Sequence, residues 1–257
     1  MSFLFQFYSD NIVLTDYFPK WIQVPHNLAS MCAYRDSFPA EDWEILPYSQ
    51  KIIAPFFCYA YGGNVVRQLI LGKPPVLFAS HNVSKVWLLT FALFSHLPND
   101  FLYKQWSRKK SVGRTLMVLG THADAGCSIP GNFETMTQMF PDNPIAPYAA
   151  ILITSAFGGS LCRYLERKGR GLPATVEWCI EGESRSIAQA LVYGFMYALM
   201  RKIYDPHKGD KRARLYFVTF HLLKTFLKEQ FGLEYDPIIE LGMFVLRFLS
   251  RAVPKDK

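Results

Sequence analysis

AYGGNVVRQLILG, residues 60–72, is the stretch on which the reading of this chain turns. It returns as AFGGSLCRYLERKG, residues 156–169. Alanine, an aromatic, two glycines and a polar residue recur, and an arginine follows four residues past the second glycine each time (Arg67 and Arg163). Phe157 of the second copy stands 96 residues after Tyr61 of the first. A glycine inside a helix costs about 1 kcal/mol relative to alanine. In return it permits a kink and lets a neighbouring helix approach closely. Used twice in apolar surroundings, the phrase predicts two broken helices at matched positions, with Gly62, Gly63, Gly158 and Gly159 as the break residues of an internal repeat.

The composition suits such helices. Of 257 residues, 50% are hydrophobic, 16% aromatic and only 19% charged, against roughly 25% charged in ordinary soluble domains. The surplus of apolar side chains calls for a large buried or lipid-facing surface. The net charge of +7 and a pI near 9.1 favour an anionic partner such as nucleic acid or a phospholipid headgroup. Five cysteines without a CxxC pair indicate neither a disulfide framework nor a zinc site. MSFLFQFYSDN lacks the basic start and long apolar core of a cleaved signal peptide.

Seven candidate helices follow along the chain. The clearest is 144–162, nineteen residues without a charge, close to the ~20 that cross a hydrocarbon layer. Others cover 52–66, 76–97, 186–200 and 215–231, and the weaker 11–34 and 112–130 hold charges and helix breakers. The connections 103–114 and 163–171 are strongly basic, whereas 72–75 and 131–144 are neutral or acidic. Counted along seven spans, both basic loops fall on one side, which the positive-inside rule makes cytoplasmic, with the N-terminus lumenal. A third basic connection, 201–214, falls on the opposite side. Three candidate helices separate the two glycine phrases, so the second copy is inverted relative to the first. The expected fold is all-α, a polytopic membrane protein of about seven transmembrane helices. It comprises one unit over 1–257, with inverted three-helix repeats at about 11–98 and 112–203 and a seventh helix at about 213–232. The tail 233–257 contains an amphipathic stretch, 237–255, with Arg247 and Arg251.

YGGNVVRQLILGKPPV followed by WLLTFALFSHLPNDFLYK resembles the second and third helices of the trimeric intracellular cation channels. SAFGGSLCRYLERKGRG is similar to that family's fifth helix and the basic linker after it, and ALVYGFMYALMRKI and ARLYFVTFHLLKTFL stand where its sixth and seventh helices would. The resemblance spans roughly residues 50–230. It implies a non-enzymatic homotrimer in endoplasmic or sarcoplasmic reticulum membranes, with a potassium-conducting pore in each protomer that supplies counter-ion flux. The partners implied are membrane lipids and potassium ions, not nucleic acid. Arg67 and Arg163, one helical turn past the glycines, are placed to meet water, a lipid phosphate or the headgroup layer, as lipid or pore-mouth basic residues. The family holds a phosphoinositide headgroup through basic residues of its fourth helix. Here the comparable region reads MVLGTHADAGCSIP, and no lysine or arginine falls between Arg114 and Arg163. No cofactor is therefore expected, and that lipid site is not carried over.

Two readings of other classes stand beside the channel. The altered fourth helix suits a non-conducting scaffold or lipid-binding relative, and the charge suits a soluble helical protein binding nucleic acid. No metal is expected, because the spacing of His122, Asp124 and Cys127 matches no zinc pattern. No P-loop and no nucleophile elbow is present.

Overall fold

The computed structural model describes residues 20–75, 78, 81–155, 161–172, 186–204, 212–233 and 240. Every regular element among them is helical, so the fold class is all-α. In chain order they are α1 (Lys20–Arg35), α2 (Ala40–Ile45), α3 (Tyr48–Pro55), a π-helical turn (Phe56–Ala60), α4 (Gly62–Ile70), α5 (His81–His96), a 3-10 turn (Pro98–Asp100) and α6 (Phe101–Ser107). There follow α7 (Val112–Met139), α8 (Ala146–Ser155), α9 (Cys162–Gly169), α10 (Ser186–Tyr204) and α11 (Arg212–Phe231). The seven candidate segments become α1, the broken α3–α4, α5, α7, α8 with α9, α10 and α11. Gly158, Gly159 and the amphipathic stretch with Arg247 and Arg251 lie outside the described residues.

The segment whose sequence reads as weak, 112–130, opens the longest helix. At ~1.5 Å per residue the 28 residues of α7 reach roughly 42 Å. Ser111 caps it, its Oγ accepting from the Arg114 N–H at 3.1 Å. Its polar residues survive inside because other helices answer them. Glu134 accepts from the Tyr197 hydroxyl of α10 and lies 3.9 Å from Arg214 of α11. Asp124 faces His26 of α1 at 4.0 Å. Gly120 lets α1 in: a Cβ there would lie 2.7 Å from Pro25 Cγ and 3.0 Å from the His26 backbone nitrogen.

Two apolar cores flank α7. The first gathers Met31, Tyr34, Phe56, Tyr61 and Trp87 from α1, the π turn, its C-terminal border and α5, with Met117 from the first half of α7. The second gathers Ile151, Tyr193, Tyr197 and Phe217 from α8, α10 and α11, with Ile129 from the second half of α7.

The expected helices occur in order, but without the expected length and apolarity: no described helix is long and apolar enough to cross a membrane. Inward-facing polar residues lower the hydropathy of α7, and Arg212, Arg214, Lys224 and Lys228 lower that of α11. The fifth segment is described only as α8 and α9, on either side of 156–160. Outward faces are nonetheless apolar. Along α10, Ala190, Tyr193 and Tyr197 are buried, while Phe195, Leu199 and Ile203 on the other side are each about 60% exposed (61%, 60% and 60%). A helix apolar on both faces needs an apolar neighbour on each.

One end of the molecule carries both basic loops. Arg35 at the end of α1 makes a two-pronged ion pair with Asp100 at 2.8 and 2.7 Å. Asp36 accepts from the Tyr103 hydroxyl at 2.7 Å and from Trp106 Nε1 at 2.6 Å. Arg170, beyond α9, reaches the Ser37 hydroxyl at 3.1 Å and lies over the Phe38 ring at 3.9 Å. The chain after α1 thus ties 103–114 and 163–171 together.

Candidate functional site

Segment two breaks where its sequence says it should, with a refinement. Pro55 closes α3, because a proline within a helix lacks the N–H that the ladder needs. The chain then loosens into the π turn, and the Tyr61 N–H donates back five residues to the Phe56 carbonyl at 2.8 Å. Tyr61 is non-helical (φ −121°, ψ 4°), and Gly62 and Gly63 open α4, both buried. The glycines start the second half of the segment, and the interruption itself lies just before them. Of segment five, α8 up to Ser155 and α9 from Cys162 are described, and Gly158 and Gly159 between them are not.

The two segments cross antiparallel. The later half of segment two, α4, packs on the earlier half of segment five, α8, while the π turn packs on α9. At one side of the crossing the Arg163 guanidinium lies over the Tyr59 ring at 4.6 Å. At the other, Arg67 lines a cavity of about 350 Å³ between α4, α8 and the C-terminal end of α7. The two arginines of the repeated phrase therefore stand at opposite ends of the crossing, in unlike surroundings.

Between them runs a buried polar seam from α1. The Asn27 side chain, fully buried, accepts from the Tyr61 hydroxyl at 2.9 Å. His26 Nε2 lies 3.3 Å from the Ala60 carbonyl oxygen and 4.0 Å from Asp124 Oδ2. A carbonyl only accepts, so that contact needs the proton on Nε2, and Nδ1 then meets no hydrogen-bond partner among the described residues. The seam puts an imidazole, an amide, a phenol and a carboxylate beside the break in segment two. These groups can hold water or a proton, and they also bolt the break to α1 and α7. Among the described residues no group of three or more His, Cys, Asp or Glu gathers as a metal site.

Sequence reasoning places Gly62, Gly63, Arg67 and Arg163 at the crossing, and it misses His26, Asn27 and Gly120. His26 and Asn27 sit in the segment 11–34, where charges and Pro25 obscure the helix. Three polar residues at 23, 26 and 27, one turn apart on an otherwise apolar helix, were the available signal. Comparison with known protein families, with curated proteins and with solved structures finds no match for this chain.

Proposed function

We propose that this protein is an ion channel of intracellular membranes, built from two inverted three-helix repeats and a seventh helix, with the crossing of α3–α4 and α8–α9 as its conduction path. The observation that carries the reading is the antiparallel packing of segment two, broken just before Gly62, against segment five, whose sequence holds the same glycine phrase. Inverted repeats with discontinuous helices meeting near a midplane are a recurrent plan of membrane transport proteins. Irregular backbone at that depth is tolerated where protein or water covers it, as the π turn is covered here. The apolar outer face of α10 and the gathering of both basic loops at one end support a membrane setting with that end cytoplasmic. The resemblance to the trimeric intracellular cation channels supplies the rest of the proposal: endoplasmic or sarcoplasmic reticulum, a homotrimer, no enzymatic activity, and potassium as the conducted ion.

A second reading, a non-conducting lipid-binding relative, is favoured by one observation. The contacts of His26 and Asn27 with Ala60 and Tyr61 cross the break that a conduction path would use. Potassium flux from liposomes carrying the purified chain separates the two. Flux that falls in Gly63→Leu, while assembly is unchanged, supports the channel. No flux above protein-free liposomes rejects conduction. Release of the chain from native membranes by alkaline carbonate rejects the membrane setting altogether.

A further inference from the structure

The cavity beside Arg67 has a composition that calls for a ligand. Its walls are mostly apolar, with Ile70 and Leu71 from α4 and its C-terminal border, Phe140 after α7, and Ala149 and Ile153 from α8, and Asn143 adds one polar side chain. Arg67 brings a fixed positive charge into that surface. Its Nε is buried and meets no hydrogen-bond partner, and the side chain makes no ion pair among the described residues. A guanidinium turned into an apolar hollow without an anion is costly, and its planar fork matches phosphate and carboxylate oxygens in pairs. A second cation stands close by: Lys73 Nζ lies 3.8 Å from the sulfur of Met139, the neighbour of Phe140. Asp142 is exposed and makes no ion pair with Arg67.

The second copy of the phrase shows what the first lacks. There the ring of Tyr59 covers the Arg163 guanidinium, and Glu166, three residues on, is paired to Arg170 at 3.0 Å. At the matching position after Arg67 stands Ile70, 61% exposed. The first copy thus has an apolar residue where the second has a carboxylate.

We propose that this cavity binds an anionic lipid, its phosphate or carboxylate oxyanion paired with Arg67 and its first methylenes lying between Phe140 and Ile153. The volume of about 350 Å³ accommodates about ten groups of ~30 Å³ each, an oxyanion and the start of a chain. An inorganic anion would satisfy Arg67 and leave the apolar wall uncovered, whereas a neutral lipid would cover the wall and leave the charge unmatched. The proposal uses the membrane setting inferred above, but not conduction.

The test is a titration of the full-length, detergent-purified chain with phosphatidylglycerol, with phosphatidylcholine of the same acyl chains, and with inorganic phosphate, read by native mass spectrometry. Phosphatidylglycerol is expected to bind one per chain at this site, at least tenfold tighter than phosphatidylcholine, with inorganic phosphate weaker than either lipid. Arg67→Gln is expected to weaken phosphatidylglycerol at least tenfold, and Arg67→Lys to recover part of the loss. Ala149→Leu, which keeps the charge and fills the hollow, is expected to lose the lipid as well, so the result does not hang on one variant folding. Equal binding of phosphatidylglycerol to wild type and Arg67→Gln would overturn the proposal. Inorganic phosphate binding as tightly as the lipid would overturn it in favour of a free-anion site. Should liposomes carrying the chain show no potassium flux while the Arg67-dependent lipid still binds, the channel reading fails and the lipid site stands.

Discussion

The two glycine phrases begin alike and end differently. In the second, Arg163 rests on an aromatic ring from the opposing segment, and Glu166, one turn on, is held by Arg170. In the first, Arg67 faces a hollow, and Ile70 occupies the place of the carboxylate. A repeated sequence phrase does not require repeated electrostatics. In one copy an aromatic ring covers the guanidinium, although its Nε too is buried without a hydrogen-bond partner among the described residues. The other presents its arginine for use.

The largest expected effect concerns the seam that joins the halves. Gly120→Val would drive side-chain carbons into Pro25 and the His26 backbone, a cost of about 3 kcal/mol by the usual penalty for overpacking. Gly131, in the second half of the same helix, has open space for 4 Å around the place a Cβ would take. Gly131→Ala is expected to stabilise by roughly 0.5–1 kcal/mol through lower unfolded-state entropy and better helix propensity. Thermal unfolding of both variants in detergent would read opposite signs. Equal losses would mean that α1 does not depend on Gly120.

Exchanging the electrostatics of the copies comes next. Ile70→Glu places a carboxylate three residues after Arg67, at helix-pair spacing. Phosphatidylglycerol affinity is then expected to drop tenfold or more, about 1.4 kcal/mol. Unchanged affinity would show that the introduced carboxylate fails to engage the guanidinium, and the contrast between the copies would lose its electrostatic basis.

A smaller loss is expected on the other side. Tyr59→Leu removes the ring under Arg163, worth about 0.5–1 kcal/mol for a partly exposed cation–π contact. Unfolding monitored at low and high salt would register it, with little change in lipid binding at Arg67.

The smallest effect is a pH dependence. The two-pronged contact with Arg35 holds the Asp100 carboxyl below its ordinary range. The folded-state pKa lies below the unfolded one, so the stabilisation is present at neutral pH and lost as pH falls through the lowered value. Asp100 is half exposed (52%), so the contribution is small, less than ~1 kcal/mol. Asp100→Asn should flatten the acid limb of a stability-versus-pH profile below pH ~4 and leave the rest unchanged. An unaltered acid limb would assign that slope to other carboxylates.

The helical class and the break in segment two were legible because proline and paired glycines act locally: Pro55, Gly62 and Gly63 mark it within a few residues. Arg67 and Arg163 were legible as a pair through spacing alone. Their contrasting environments were not, since Tyr59 and Phe140 reach them from elsewhere in the chain. The importance of α7 was hidden for a related reason. Its His122, Asp124, Asn132 and Glu134 lower the hydropathy that a sequence scan relies on, and only α1, α10 and α11 supply the partners that make Asp124 and Glu134 tolerable. In α7 the expectation of a long apolar span meets the same residues, since partnered polar groups inside a helix look, in one dimension, like a helix unfit for an apolar setting.

The reach of α7 has a further consequence for cooperativity. Met117 belongs to the first core and Ile129 to the second, yet both ride on one helix. Twelve residues of helix separate them, roughly 18 Å of rigid rod. Neither core can melt without stripping a wall from the other, so the chain should come apart in one all-or-none transition rather than two.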